Sequence, residues 1–109
     1  MSNQPILLSK ALASFDALWS PRIVTRVNDY DVRVAKVHGE HLWHVHDDTD
    51  EFFLVLEGQL LIDLRDRETV VLEPHQGYTV PRRVEHRTRA PVRTAILMVE
   101  AAGVRPTGD

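Results

Sequence analysis

Residues 43–51 read Trp-His-Val-His-Asp-Asp-Thr-Asp-Glu, and the interpretation of the whole chain depends on this stretch. His44 and His46 are two residues apart, so on a β-strand both imidazoles point to the same face. The four residues that follow His46 are turn formers, which can reverse the chain and bring Glu51 back beside the two histidines. Two imidazoles and a carboxylate that converge from one face are suitable ligands for a divalent transition metal, with positions left open for water or substrate.

A His-x-His pair is by itself more often two surface or packed side chains than a pair of metal ligands. With 6 histidines in 109 residues, such a pair can arise by chance. Here the pair ends one predicted strand and Glu51 opens the next, which favours the metal site. A histidine from a neighbouring strand would complete a three-histidine, one-glutamate set, and His86 is the best placed. Imidazole and carboxylate ligands leave iron, manganese, nickel, zinc, cobalt and copper all open.

The spacing of these residues resembles the first motif of the cupin superfamily, with Gly39 as its leading glycine and Gly58 as its last residue. Residues 74–86 resemble the second motif, which ends at His86. The second motif departs from the family pattern at three positions. There, residues of other types replace two glycines and the closing asparagine: His75, Arg83 and Ala90.

The resemblance covers about residues 22–100 and implies an all-β fold, a single antiparallel jelly-roll barrel with a short N-terminal helix. It implies one domain over residues 1–109, with a helical arm at about 1–20, the barrel at about 22–100 and a tail at 101–109. By the same similarity the four ligands of one divalent metal ion are His44, His46, Glu51 and His86. Small cupins are similar to isomerases, lyases, decarboxylases and dioxygenases. The substrate is expected to be a small polar molecule, such as a sugar, a uronate or a carboxylate, and a binding protein without turnover is the alternative.

Composition restricts the class of protein further. The chain has no cysteine, so neither disulfides nor thiolate metal sites are available. A net charge of −3 argues against a nucleic-acid partner. The N-terminus lacks the features of a signal peptide, and no apolar run is long enough to span a membrane, so we expect a cytoplasmic protein.

The pattern along the chain predicts a short amphipathic helix over residues 8–19 and then about nine short strands from Arg22 onward. Residues 42–46 are predicted as the strand that carries the two histidines. In the strand from Tyr30 to Val37, valines alternate with Asp31 and Arg33, which indicates a strand with one solvated face. Residues 51–57 are apolar on both faces. The second apolar row predicts a covering element or a homodimer: Phe52, Leu54 and Leu56.

A few other side chains are candidates for chemistry. Tyr78 could point into the barrel as a proton donor, and Glu85 is a second possible acid or base. The remaining histidines are expected outside the ligand set: His38, His41 and His75. Arginines cluster in residues 82–93 and are expected on a solvated face, in salt bridges with the acidic turn at 47–50, although Arg82 or Arg83 could instead orient an anionic ligand.

Overall fold

The computed structural model describes residues 4–103, which form one short helix and seven strands. The helix α1 spans Leu8–Ala13. The strands are β1 (Arg22–Val27), β2 (Tyr30–Glu40), β3 (Glu51–Glu57), β4 (Leu60–Leu64), β5 (Val70–Leu72), β6 (Gly77–Val80) and β7 (His86–Ala101). Within residues 4–103 there is no helix with the length and apolar character needed to cross a membrane.

All strand pairs are antiparallel and belong to one sheet, in the order β1-β2-β7-β3-β6. The first part of β7 also pairs with β4, which in turn pairs with β5. The all-β prediction with a short helix is therefore confirmed. The pairings among the described residues do not close the sheet, so the jelly-roll barrel stays a prediction.

The structure has fewer strands than the nine that the sequence pattern predicts, for two reasons. Residues 42–46 form a single bridge at His44 instead of a strand. Residues 86–101 form one strand where two were predicted on either side of Pro91. Pro91 has no amide hydrogen to donate, and it is accommodated because the register between β2 and β7 shifts next to it, between Val37 and Gly39.

The predicted helix over residues 8–19 is too long, since α1 ends at Ala13 and has no buried residue. Two hydrogen bonds with Lys36 hold the segment after α1 beside β2. Lys36 Nζ donates a 2.6 Å hydrogen bond to the carbonyl of Phe15, and the amide of Trp19 donates one of 2.8 Å to the carbonyl of Lys36. Phe15 is buried and Trp19 packs against the core, whereas Leu18 is exposed, so these residues do not form a helical stripe. Of the predicted arm and tail, residues 1–3 and 104–109 lie outside the described part of the chain.

The core lies on the inner face of the sheet, where alternate residues of β2, β3, β4 and β7 are buried. Burial of such aliphatic side chains stabilises the fold by about 1.5–3 kcal/mol each. The same face carries Asp31 and Arg33, which are only 1% and 8% exposed. The interpretation of these two residues as a solvated row is therefore wrong, and the reason is that each has an ionic partner inside the fold.

The outer face of β3 carries the second apolar row, which we call the β3 outer row: Phe52, Leu54 and Leu56. All three are half-buried. Their neighbours on β7, Leu97 and Val99, are also half-buried, and they pair with Leu54 and Phe52 respectively. The sheet therefore presents an apolar outer surface, as its sequence predicts.

Candidate metal centre

The backbone brings two of the predicted ligands together directly. The amides of His44 and His86 each donate a hydrogen bond to the other residue's carbonyl, both 2.9 Å long. This bridge joins the segment after β2 to the first residue of β7, and the two imidazole centroids are 4.4 Å apart. In a regular strand, Leu42 would lie on the same face as His44 and His46. Leu42 is instead 65% exposed although both histidines are buried, because residues 42–46 are not a regular strand.

The orientation of the rings leaves one nitrogen of each available for a metal. His44 Nδ1 lies 2.8 Å from the carbonyl of Leu42, and His86 Nδ1 lies 2.9 Å from the carbonyl of Val84. A carbonyl only accepts, so each Nδ1 carries a proton, and in the neutral ring Nε2 keeps a lone pair that can bind a metal. Burial lowers the pKa of His44 to about 4, which keeps its ring neutral and able to act as a ligand at physiological pH.

Glu51, the first residue of β3, completes the cluster. Its Oε1 is 3.6 Å from His46 Nε2 and 3.5 Å from His86 Nε2. One ligand atom from each of the four predicted residues lies within 4.8 Å of the other three, and all four side chains are buried. Glu51 Oε1 and His86 Nε2 have no hydrogen-bond partner within residues 4–103. Buried polar atoms are normally satisfied, so this donor set fits a divalent cation between them.

Neighbouring side chains stabilise the ionised form of Glu51. Burial alone would raise the pKa of Glu51, but its contacts with His46 and His86 hold that pKa well below the ordinary range. Burial, together with the neighbouring carboxylate of Glu51, raises the pKa of Glu100 on β7 far above that of an exposed glutamate.

The residues that surround Glu100 were not predicted from the sequence. Arg33 donates a 2.6 Å hydrogen bond to Glu100 Oε1 and a 3.0 Å hydrogen bond to Asp31. Asp31 and Glu100 are partners in the register between β2 and β7. A buried row of ionic side chains thus reaches Glu51 from the sheet. The signal in the sequence is Glu100 itself, an acidic residue at the end of the apolar run in β7.

The other candidate residues lie elsewhere. Tyr78 is half-buried against the core and pairs with Phe53 in the register between β6 and β3. Glu85 forms a 2.7 Å salt bridge with Arg65 at the surface. His38 and His75 are exposed. His41 is outside the ligand cluster but stacks on Trp19.

The arginines of residues 82–93 are engaged with acidic or carbonyl groups. Arg82 forms a 3.3 Å salt bridge with Asp50, as the acidic turn predicts, and Arg83 Nε lies 3.4 Å from the carbonyl of Asp47. Arg87 and Arg89 both bind Asp63 on β4. Neither Arg82 nor Arg83 lines the cavity that adjoins His44 and Glu51.

That cavity has a volume of about 30 Å³. It lies on the inner face of the sheet, and His44 and Glu51 form part of its wall. The rest of the wall comes mainly from β2, β3 and β7 and from the segment before β1. A molecule in this cavity would lie directly beside the cluster of ligand atoms.

Comparison with known proteins identifies the family. A family model for the cupin domain matches residues 31–100. The uncharacterized protein YdbB of Bacillus subtilis (strain 168) is 51% identical over 77 residues, which are 71% of this chain and 68% of that protein. A cupin-2 domain containing protein from Shewanella frigidimarina is 38% identical, with a TM-score of 0.85 over 88% of this chain and 93% of that chain.

A more distant likeness concerns the fold alone. Hydroquinone 1,2-dioxygenase from Sphingomonas sp. TTNP3, solved with 4-hydroxybenzoate bound, is 18% identical and has a TM-score of 0.76. The match covers 89% of this chain and 72% of that chain. The matched motif region, the relatives above 30% identity and the antiparallel fold agree with one another, and they show that this chain belongs to the cupin family.

Proposed function

We propose that this cupin binds one divalent transition-metal ion through His44, His46, Glu51 and His86, and that the ion supports a reaction of a small organic molecule in the adjoining cavity. The observation that carries the proposal is the convergence of the four buried ligand atoms within 4.8 Å. Their chemistry does not choose between iron, manganese, nickel, zinc, cobalt and copper. The candidate reaction classes are isomerisation, elimination and dioxygenation.

The chain's own residues would prepare the site in three ways. The carbonyls of Leu42 and Val84 hold two imidazole rings by their Nδ1 atoms. Glu100 lies beside the carboxylate of Glu51, and apolar side chains make up most of the cavity wall. A bound ion would supply Lewis acidity at a substrate oxygen or, with a redox-active metal, electron transfer.

A binding protein without turnover is the second candidate, and the cavity wall favours it in one respect. The residues that line the cavity include neither Tyr78 nor Glu85, the two acid or base candidates. A proton transfer would then depend on the ligands themselves, on His41 or on water. Assays of turnover with the metal-loaded protein separate the two candidates, because both require the metal.

The family also supports two structural proposals. The sheet is proposed to close into a jelly-roll barrel around the cavity. The β3 outer row is proposed to meet the same surface of a second chain in a homodimer, since a half-buried apolar face gains stability when it is covered.

Metal analysis of anaerobically purified protein tests the proposed function. We expect about one divalent ion per chain. Removal of the ion by a chelator should lower the melting temperature, because an ion that binds only the folded state stabilises it. His46→Ala should lose the ion, whereas His38→Ala, which removes an exposed histidine outside the cluster, should keep it. Full metal occupancy in His46→Ala would place the ligands elsewhere.

A further inference from the structure

We propose that Glu100 is a positioning residue of the metal centre. Arg33 fixes the carboxyl group of Glu100, and Glu100 in turn holds the carboxylate of Glu51 in the orientation that binds the ion. The inference rests on the proposed function and deepens it, because Glu51 is one of the four proposed ligands. Glu100 is itself outside the group of ligand atoms that lie within 4.8 Å of one another.

The strand register places three acidic residues in one row across the sheet. Asp31 on β2 pairs with Glu100 on β7. On the other side of β7, Val99 pairs with Phe52 of β3. In an antiparallel pair the next residues on the two strands are also neighbours, so Glu51 lies beside Glu100. Glu100 therefore has an acidic side chain on each side of it.

Solvent plays little part in orienting these carboxyl groups. Asp31 and Glu100 are each 1% exposed, and Glu51 is 3% exposed. A buried polar group is costly unless neighbouring groups take the place of water. The orientation of each carboxyl group therefore depends on the side chains next to it.

Arg33 fixes Glu100 from the side of β2. Its guanidinium donates a 2.6 Å hydrogen bond from Nη1 to Glu100 Oε1 and a 3.0 Å hydrogen bond from Nη2 to Asp31 Oδ2. Asp31 Oδ1 also accepts a 2.8 Å hydrogen bond from Arg26 Nε on β1. One arginine thus bridges two buried carboxylates, and a planar guanidinium suits this arrangement better than a lysine ammonium.

The contact between Glu100 and Glu51 is where this row meets the metal ligands. Glu100 Oε2 is buried and has no hydrogen-bond partner within residues 4–103. Glu51 Oε1 lies 3.5 Å from His86 Nε2 and 3.6 Å from His46 Nε2. Because Arg33 prevents Glu100 from moving away, Glu100 restricts the positions that the Glu51 side chain can take. Outer partners of this kind orient the ligands of metal sites.

The alternative is that the row only ties β2 to β7, as a buried ion pair does elsewhere. In that case its loss would change the free energy of unfolding but not the affinity of the folded protein for metal. The two roles therefore differ in the zinc affinity, measured by competition with a chromophoric chelator, while urea unfolding of the zinc-free protein reports stability separately.

Substitutions of Glu100 give the main test. Glu100→Leu removes the polar group and should weaken zinc binding by about 10–100-fold. Glu100→Gln should keep most of the affinity, because the carboxamide has the same shape, accepts from Arg33 and can donate to Glu51. In the cobalt-loaded protein, Glu100→Leu should also alter the visible spectrum, which depends on ligand geometry.

Thr94→Val is the matched control on the same strand. Thr94 is 1% exposed, and its hydroxyl hydrogen-bonds with the backbone of Gln59. The substitution removes buried hydrogen bonds from β7 without touching the ionic row. It should lower stability and leave both the zinc affinity and the cobalt spectrum unchanged.

Arg33 is tested through its coupling to Glu100. Arg33→Met should weaken zinc binding in the natural chain but have little further effect in Glu100→Leu, because both substitutions remove the same restraint. If Arg33→Met does not fold, Arg33→Lys keeps the charge without the bridging fork and should show the same coupling with a smaller loss.

The outcomes separate this inference from the proposed function. If Glu100→Leu binds zinc as tightly as the natural chain, the row is only structural and the inference is wrong, whereas the metal function stands. Equal losses in Glu100→Gln and Glu100→Leu would also overturn it, since the shape and hydrogen bonds of Glu100 would then not matter. If the natural chain binds no metal, the proposed function itself fails.

Discussion

At the scale of single residues, backbone strain occurs where the second motif departs from its family pattern. His75 and Arg83 replace two glycines, and their φ angles are 72° and 68°. Left-handed backbone costs a residue with a side chain about 1–2 kcal/mol, and glycine avoids that cost. The chain therefore keeps the glycine geometry of these turns although it has lost the glycines.

This strain leads to a prediction. His75→Gly and Arg83→Gly should each stabilise the protein by about 0.5–1 kcal/mol, because relief of strain exceeds the added freedom of the unfolded chain. The backbone hydrogen bonds from the amide of His75 to Val55 and from the amide of Arg83 to His46 are kept. Urea unfolding measures the effect.

The matched control is His38→Gly, which removes the same side chain from an exposed position of β2 without a positive φ. It should destabilise the fold by about 0.5–1 kcal/mol, since glycine weakens a strand interior. Destabilisation of similar size in His75→Gly would show that the left-handed turn carries no strain.

The residues of the candidate metal centre also show what a sequence can and cannot predict. The His-x-His pair, the acidic turn and Glu51 are local in the chain, so their spacing was enough to predict that they lie together. The approach of Glu100 to Glu51 depends on the register of β7 between β2 and β3. Such a register is set by the packing of the whole sheet, and no short pattern in the chain encodes it.

At the scale of elements, one ionic cluster ties β4 to β7 close to the metal centre. Asp63 pairs with Arg87 in the strand register. Its carboxylate accepts hydrogen bonds of 2.8 Å from Arg89 Nε, 2.9 Å from Arg87 Nε and 2.7 Å from the hydroxyl of Thr69. The hydrogen bond from Arg89 is the largest cause that holds the pKa of Asp63 well below its usual value. This cluster fixes the start of β7, where His86 lies.

Removal of this charge gives the next prediction. Asp63→Asn should destabilise the protein by about 1–3 kcal/mol at pH 7, because two arginines lose a charged acceptor. The pKa of Asp63 is lower in the folded protein than in the unfolded chain. The stabilisation of the fold by the ionised Asp63 is therefore fully present above the unfolded pKa of about 3.9, and it is lost as the pH falls from there through the lower pKa of the folded protein. The variant and the natural chain should therefore approach each other in stability in acid, as measured by urea unfolding at pH 7 and near pH 2.

Asp16→Asn is the matched control for charge, since the Asp16 side chain is exposed and lies 3.9 Å from Lys36. Such surface pairs contribute about 0–1 kcal/mol. Equal effects of the two substitutions at pH 7 would mean that the Asp63 cluster adds nothing beyond an ordinary surface ion pair.

The elements also differ in how well their patterns predicted them. Turn-forming residues stand at the strand ends: Asn28-Asp29 lies between β1 and β2, and Glu57-Gly58 lies at the end of β3. Gly58 has a φ of 94°, and a Cβ there would come within 2.9 Å of the backbone of Arg93 and Thr94. The α1 prediction failed at its C-terminal half because Phe15 and Trp19 are used in contacts with β2, and tertiary packing of this kind overrides helical spacing.

At the scale of the whole molecule, the apolar residues of the sheet form two sets, one on the inner face and one on the outer face. The inner set forms the core and the cavity wall, as its burial shows. The outer set includes the β3 outer row, which stays half-buried in the single chain. The edge strand β1 adds further exposed apolar residues, among them Val27. The proposed homodimer accounts for the outer row, because the surface of a second chain would remove it from water.

The proposed homodimer predicts a mass of twice the 12.5 kDa chain in light scattering at micromolar concentration. Leu54→Glu places a charge in the middle of the β3 outer row and should give a monomer, because an unpaired charge in an apolar interface is costly. Val71→Glu makes a similar change at an exposed position of β5 and should stay dimeric. Since the proposed metal ligands lie on the opposite, inner face, Leu54→Glu should still bind about one metal ion per chain. A dimer that survives Leu54→Glu but dissociates in Val27→Glu would move the interface to the edge strand, and a natural chain that is already monomeric would refute the homodimer.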